Sequence, residues 1–104
     1  MNIDMRIKDS REFESIIKTG KKIANSYFVI YYKERKMLFP RFGVTLSKKF
    51  GNAVKRNRYK RILREIIRNN QKQFKKNYDY IIIMKKSCEN IEYKVIVKKL
   101  LALL

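Results

Sequence analysis

Apolar residues recur along this chain with two alternating periods. Behind Asp9 or Ser10, either of which can cap a helix, Phe13, Ile16 and Ile17 fall on one face at helical spacing, and Gly20 marks the stop. The stretch IANSYFVIYYK (23–33) is β-branched and aromatic and reads as one strand. Its alternation sends Tyr27, Val29 and Tyr31 one way and Phe28, Ile30 and Tyr32 the other, so both faces are to be covered. KERK is a charged turn. RFGVTLS then alternates Phe42, Val44 and Leu46 with Gly43, Thr45 and Ser47 and reads as a second hairpin strand, with Pro40 at its start. After the basic loop KKFGN, Asn52 caps a long helix running to about Phe74. DYIIIM is a buried strand and KKSCEN a loop. A last helix from about Ile91 carries Tyr93, Ile96, Val97, Leu100, Leu101 and Leu104 as one amphipathic stripe, read as a helix packed on a sheet.

The order helix, strands, helix, strand, helix predicts an α/β (α+β) two-layer sandwich: about three helices on a small sheet, in a single domain over residues 1–104. Hydrophobic residues make up 45% of the chain, enough for a modest core without cross-links. A single cysteine, Cys88, forbids an intrachain disulfide and reads as a small loop residue; with no histidine, the ligand set of a zinc site is missing. The N-terminal MNIDMRIKDSREF has no apolar signal-peptide core, and the longest apolar run, Tyr80 to Met84, is too short to span a bilayer. A cytoplasmic protein with no membrane segment is the expectation.

Charge changes this picture most. The formal net charge is +18, which makes a polyanion the natural partner: nucleic acid first, an anionic membrane second. Base composition of the genome could account for scattered lysines, but not for their clustering with arginines. From Lys48 to Lys76 there are twelve basic residues with Glu65 as the only acid, and five of the nine arginines lie between Arg56 and Arg68. At roughly 100° per residue, Tyr59, Ile62, Leu63, Ile66 and Ile67 share one face of the helix, and Asn57, Lys60, Arg61, Arg64 and Arg68 share the face beside it. Lys60–Arg64 and Arg64–Arg68 are like-charge i,i+4 pairs, each unfavourable by a few tenths of a kcal/mol, a repulsion that a polyanion held along the stripe would remove. The alternative is a merely solvated face. DNA and RNA both remain open, although no short partner helix precedes the basic one, as a helix-turn-helix would require. Tyr27, Phe28, Tyr31 and Tyr32 offer rings for unpaired bases, which favours RNA. Asp4, Asp9, Glu12, Glu14 and Asp79 form no evident acid–base or metal cluster.

The segment FGVTLSKKFGNAVKRNRYKRILRE (42–65) resembles the signature of the bacterial ribonuclease P protein subunit, through its SKK loop, its GNAV helix entry and its RNRxKRxxRE run. Weaker similarity covers nearly the whole chain, including REFESIIKTGKKIANSYFVIYY, DYIIIMKK and the final helix. The resemblance implies a ribosomal-protein-like domain with a left-handed βαβ crossover. It also implies a catalytic RNA as partner, with no obligate protein partner, and removal of the 5′ leader from precursor tRNA. Hydrolysis would belong to the RNA and its magnesium ions, none of them held tightly by the protein alone. Carried over by motif, Arg56, Asn57, Arg58, Lys60, Arg61 and Arg64 would contact the catalytic RNA, with Arg68 added on helical geometry. Phe13 and Tyr31 match the family's leader-cleft aromatics. Val29 shares the face of Tyr31, and Lys48 and Lys49 would line the leader path. Ile17 stands where many members have a second aromatic, so either leader affinity or preference differs here or Tyr27 or Tyr32 compensates.

Overall fold

The most continuously apolar segment of the chain lies inside the sheet. The computed structural model describes residues 6–104, which leaves Asp4 outside the described residues. Its elements are helix α1 (Ser10–Thr19), strands β1 (Lys21–Ala24), β2 (Phe28–Glu34) and β3 (Arg41–Leu46), helix α2 (Ala53–Asn69), strand β4 (Tyr78–Met84) and helix α3 (Tyr93–Leu101). The strands form one mixed sheet in the order β1-β2-β4-β3. Strand β4 is antiparallel to β2 and parallel to β3, with Val29 and Thr45 both opposite Ile83.

The helices-on-a-sheet sandwich expected from the sequence is present, and both faces of the sheet are used. On one face Phe28, Ile30, Phe42, Leu46, Tyr80, Ile82 and Met84 form the main core with Tyr59, Leu63, Ile66 and Ile67 of α2 and Ile96 and Leu100 of α3. On the other, Ile81 packs with Ile7 and Ile16, flanked by Phe13, Ile17, Tyr31 and Ile83. A strand buried on both faces must be apolar at every position, which is why YIIIM stands in the middle.

Three expectations are corrected. The stretch 23–33 is a hairpin and not one strand. Asn25 breaks it, because its Oδ1 accepts from the backbone N–H groups of Tyr27 (2.8 Å) and Phe28 (2.9 Å). β3 is not the hairpin partner of β2, because β4 lies between them; with Gly43 and Thr45 on its second face, β3 has less to bury and takes the edge. α2 ends at Asn69 and not near Phe74. Asn70 caps it with its Nδ2 on the Ile66 carbonyl (2.8 Å), and a short 3-10 turn carries Phe74 inward against Phe42 and Tyr80. The stripe of α3 is buried at Ile96 and Leu100, while Tyr93 and Leu104 at its ends are exposed.

Two features hold α1 on its face. Asp79, buried at the start of β4, receives Arg41 through Nε (3.0 Å) and Nη2 (2.8 Å). Arg35 Nε forms an ion pair with it at 2.7 Å, and Arg41 Nη1 reaches Glu12 on α1 at 2.8 Å. The hydrogen bond to Asp79 raises the Arg41 pKa further, so this carboxylate is fully engaged in structure. The second feature is Gly20. Its φ of −79° is ordinary, but a Cβ there would lie 2.6 Å from the Ile16 carbonyl oxygen and 2.7 Å from that of Tyr32. Neither oxygen can swing aside as a side chain can. Gly20→Ala should therefore lower stability by about 1–3 kcal/mol. Chemical denaturation checks this, and an unchanged midpoint would show that α1 can lift from β2 at no cost.

Candidate nucleic-acid interface

Helix α2 is fixed at its start and charged along its flank. The Asn52 side chain accepts from the Lys55 N–H at 3.0 Å, the expected cap. Lys55 Nζ reaches Glu89 at 2.6 Å, and Arg56 Nη1 donates to the Ser47 carbonyl at 2.9 Å. Tyr59, Leu63, Ile66 and Ile67 point into the core and are buried. Beside them Asn57, Lys60, Arg61, Arg64 and Arg68 line an open groove of about 640 Å³, whose remaining lining residues are Arg6 and Glu65.

Arg6 arrives there because the N-terminal segment runs along the outer edge of β3. It makes a parallel bridge to Phe42, and the Ile7 N–H donates to the Phe42 carbonyl at 2.9 Å. A second groove, of about 360 Å³, is lined by Arg6, Ile7, Lys8, Phe13, Phe42, Gly43, Val44 and Arg64. Arg6 and Arg64 thus belong to both grooves. Partial burial, and then the neighbouring charge of Arg6, lower the Arg64 pKa.

The other face of the sheet carries a partly open apolar floor. Phe13 lies on Gly43 so closely that a Cβ there would be 2.6 Å from the Phe13 ring and 2.7 Å from Ile81 Cδ1. The glycine is what lets the ring approach the sheet. Phe13, Ile17 and Tyr31 pack around the same small cluster, and Lys22 Nζ sits 5.8 Å from the Tyr31 ring centre. Val29, Ile83 and Thr45 form a row of half-buried residues across the same face, and Lys48 and Lys49 are exposed in the loop that follows β3. Tyr27 and Tyr32, in contrast, pack against the main core on the opposite face. They cannot stand in for an aromatic at Ile17, and the turn at Asn25 is what moved Tyr27 away from Val29 and Tyr31.

The comparisons with known proteins bear on the whole chain. The family model described as Ribonuclease P matches residues 1–104. The chain belongs to the ribonuclease P protein family. It is 39% identical over 99 residues to the ribonuclease P protein component of Streptococcus agalactiae, covering 95% of this chain and 90% of that one. With the corresponding protein of Finegoldia magna it shares 42% over 102 residues, covering 97% and 88%. Its structure is similar to that of the ribonuclease P protein from Thermotoga maritima, with a TM-score of 0.87 at 36% identity over 95% and 94% of the two chains. The Staphylococcus aureus protein gives 0.84 at 33% identity over 95% and 91%. The protein is accordingly a component of a ribonucleoprotein endonuclease of tRNA processing, whose partner is the ribonuclease P RNA subunit.

Of the α2 residues that the ribonuclease P signature marks, the groove gathers Asn57, Lys60, Arg61 and Arg64, together with Arg68. Arg56 is turned to the Ser47 carbonyl and Arg58 lies 6.0 Å from the Tyr59 ring centre, so neither lines the groove. Arg6 was not legible in the sequence: nothing local announces that its segment runs beside β3. Among the described residues no group of three His, Cys, Asp or Glu side chains gathers to hold a metal ion, and no helix is long and apolar enough to cross a membrane. Cys88 sits in a 3-10 turn and is buried, with its Sγ 3.5 Å from the Tyr27 carbonyl. Burial pushes its pKa up to about 11. The thiol should resist alkylation by iodoacetamide in the native protein near neutral pH and react once the chain unfolds. Because the folded pKa is the higher one, its contribution to stability is complete below about pH 8.5 and is lost as pH rises through about 11. Rapid labelling of the native protein would show that the turn opens.

Proposed function

We propose that this protein binds the catalytic RNA of ribonuclease P along α2 and takes the 5′ leader of precursor tRNA over the α1 face of its sheet, in the cytoplasm. The observation that carries the reading is the open groove lined by Asn57, Lys60, Arg61, Arg64, Arg68 and Arg6, with Glu65 as the only acid among its described lining residues. A guanidinium fork matches the oxygens of a phosphate, and counterions released from the RNA backbone supply the affinity. Arg56 and Arg58 act at the margins of this surface, Arg56 by holding the loop that carries Lys48 and Lys49. The leader, being single-stranded, has free base faces. Phe13 and Tyr31 offer rings to them, Val29 and Ile17 offer apolar floor, and Lys48 and Lys49 meet the backbone.

The chemistry belongs to the RNA. Among the described residues Asp79 is engaged by two arginines and Glu12 and Glu89 each face a cation, which supports leaving the metal chemistry to the RNA. Hydrolysis is assigned to the RNA subunit and its magnesium ions, and the protein screens charge and positions substrate.

Affinity for the catalytic RNA should fall on the order of a thousandfold between about 50 and 200 mM salt if about six phosphates are contacted. A flat response would contradict the use of the stripe. Phe13→Ala should reduce the preference of the holoenzyme for precursor over mature tRNA by roughly tenfold, the worth of one stacked base at about 1–3 kcal/mol. Equal losses for both substrates would make Phe13 a packing residue only.

A further inference from the structure

We propose that Arg6 and Arg64 together clamp a single RNA phosphodiester where the two grooves meet. The inference rests on the RNA-binding reading above and adds to it a defined anion site and a residue outside the signature.

The two guanidinium groups come from different parts of the fold. Arg64 is placed by α2, and Arg6 by the short segment that the Ile7–Phe42 hydrogen bond holds against β3. Both line the large groove and both line the small one, so each groove opens onto the same pair of cations. No described carboxylate forms an ion pair with either. The Arg64 Nε is buried and has no hydrogen-bond partner. A buried charged donor left unmatched is costly, as is like charge gathered on one site. The pKa of Arg64 moves in the same sense. A phosphate oxygen accepting from the Arg64 guanidinium, with a second oxygen toward Arg6, neutralises the gathered charge and suits the planar fork of each side chain.

The position also says what the site does. The large groove is the stripe of α2, and the small one is lined by Phe13, Gly43 and Val44 beside α1. A phosphate held between Arg6 and Arg64 therefore fixes RNA at the boundary between the two surfaces. The same phosphodiester chemistry can come from the catalytic RNA or from the leader, and the experiment separates the two.

The test uses Arg6→Ala, Arg64→Ala and the double variant of the full chain, each first shown to unfold at the temperature of the parent. One arm measures affinity for the catalytic RNA as a function of salt. The other measures the preference of the reconstituted holoenzyme for precursor over mature tRNA. Each single variant is expected to lose about tenfold in one arm, with the double variant losing little more. If the first arm responds, the slope of log affinity on log salt should fall by about 0.7–0.9, by the same amount in single and double variants, because one phosphate is lost. A response in the first arm assigns the phosphate to the catalytic RNA, and one confined to the second assigns it to the leader. Arg6→Lys should keep the salt slope yet recover only part of the affinity, since it restores charge without the fork. Multiplying losses with twice the slope change would mean two separate phosphates and overturn the clamp, as would a silent Arg6→Ala. Lys60→Ala tells the two levels of failure apart. If it weakens RNA binding while Arg6→Ala is silent, only the clamp falls; if all three single variants are silent, the RNA-binding reading falls with it.

Discussion

The burial of β4 on both faces is the constraint on which the rest of the structure depends. Its residues from Tyr80 to Ile82, and Met84, are almost wholly removed from water, and helices are needed on both sides of the sheet to achieve this. β3 joins β4 as a parallel neighbour, which obliges the chain to cross over between them, and the crossover is α2. One face of α2 is thereby committed to the core and its flank is left beside the edge strand. The charged groove is thus a consequence of how the central strand is covered. So is the second surface: α1 covers only part of the opposite face, and the row of Val29, Ile83 and Thr45 stays half-buried.

Electrostatics works against this fold and in favour of its partner. A net charge of +18 on 104 residues stores repulsion that, among the described residues, is relieved locally at acids such as Asp79, Glu12 and Glu89. These acids lie where they anchor α1 and the start of α2, and the stripe facing the groove is left almost unneutralised. The arrangement separates two jobs. Arginines that hold the protein together (Arg35, Arg41, Arg56) have internal acceptors, while Arg6, Arg61, Arg64 and Arg68 along the groove form no ion pair with a described carboxylate.

Much of this was legible before the fold was known, for identifiable reasons. The caps at Asp9 and Asn52, the stop at Gly20 and the core face of α2 are local, set by residues within a turn or two of one another. The signature from Phe42 to Glu65 carried the family. What escaped was non-local or hidden in a favourable pattern. The Asn25 turn was masked by β-branched neighbours, and strand order depended on which strand had most to bury. Arg6 joined the site only through a bridge to a strand far along the chain. The same turn at Asn25 put Tyr27 on the main-core face and left Tyr31 on the α1 face of the sheet.

The most direct test of the central claim is cleavage of precursor tRNA by a bacterial ribonuclease P RNA at low magnesium, with and without this protein. The account predicts strong stimulation, a correct mature 5′ end, and no cleavage by protein alone. Absence of stimulation with the cognate RNA, or sustained cleavage by highly purified protein without RNA, would contradict it.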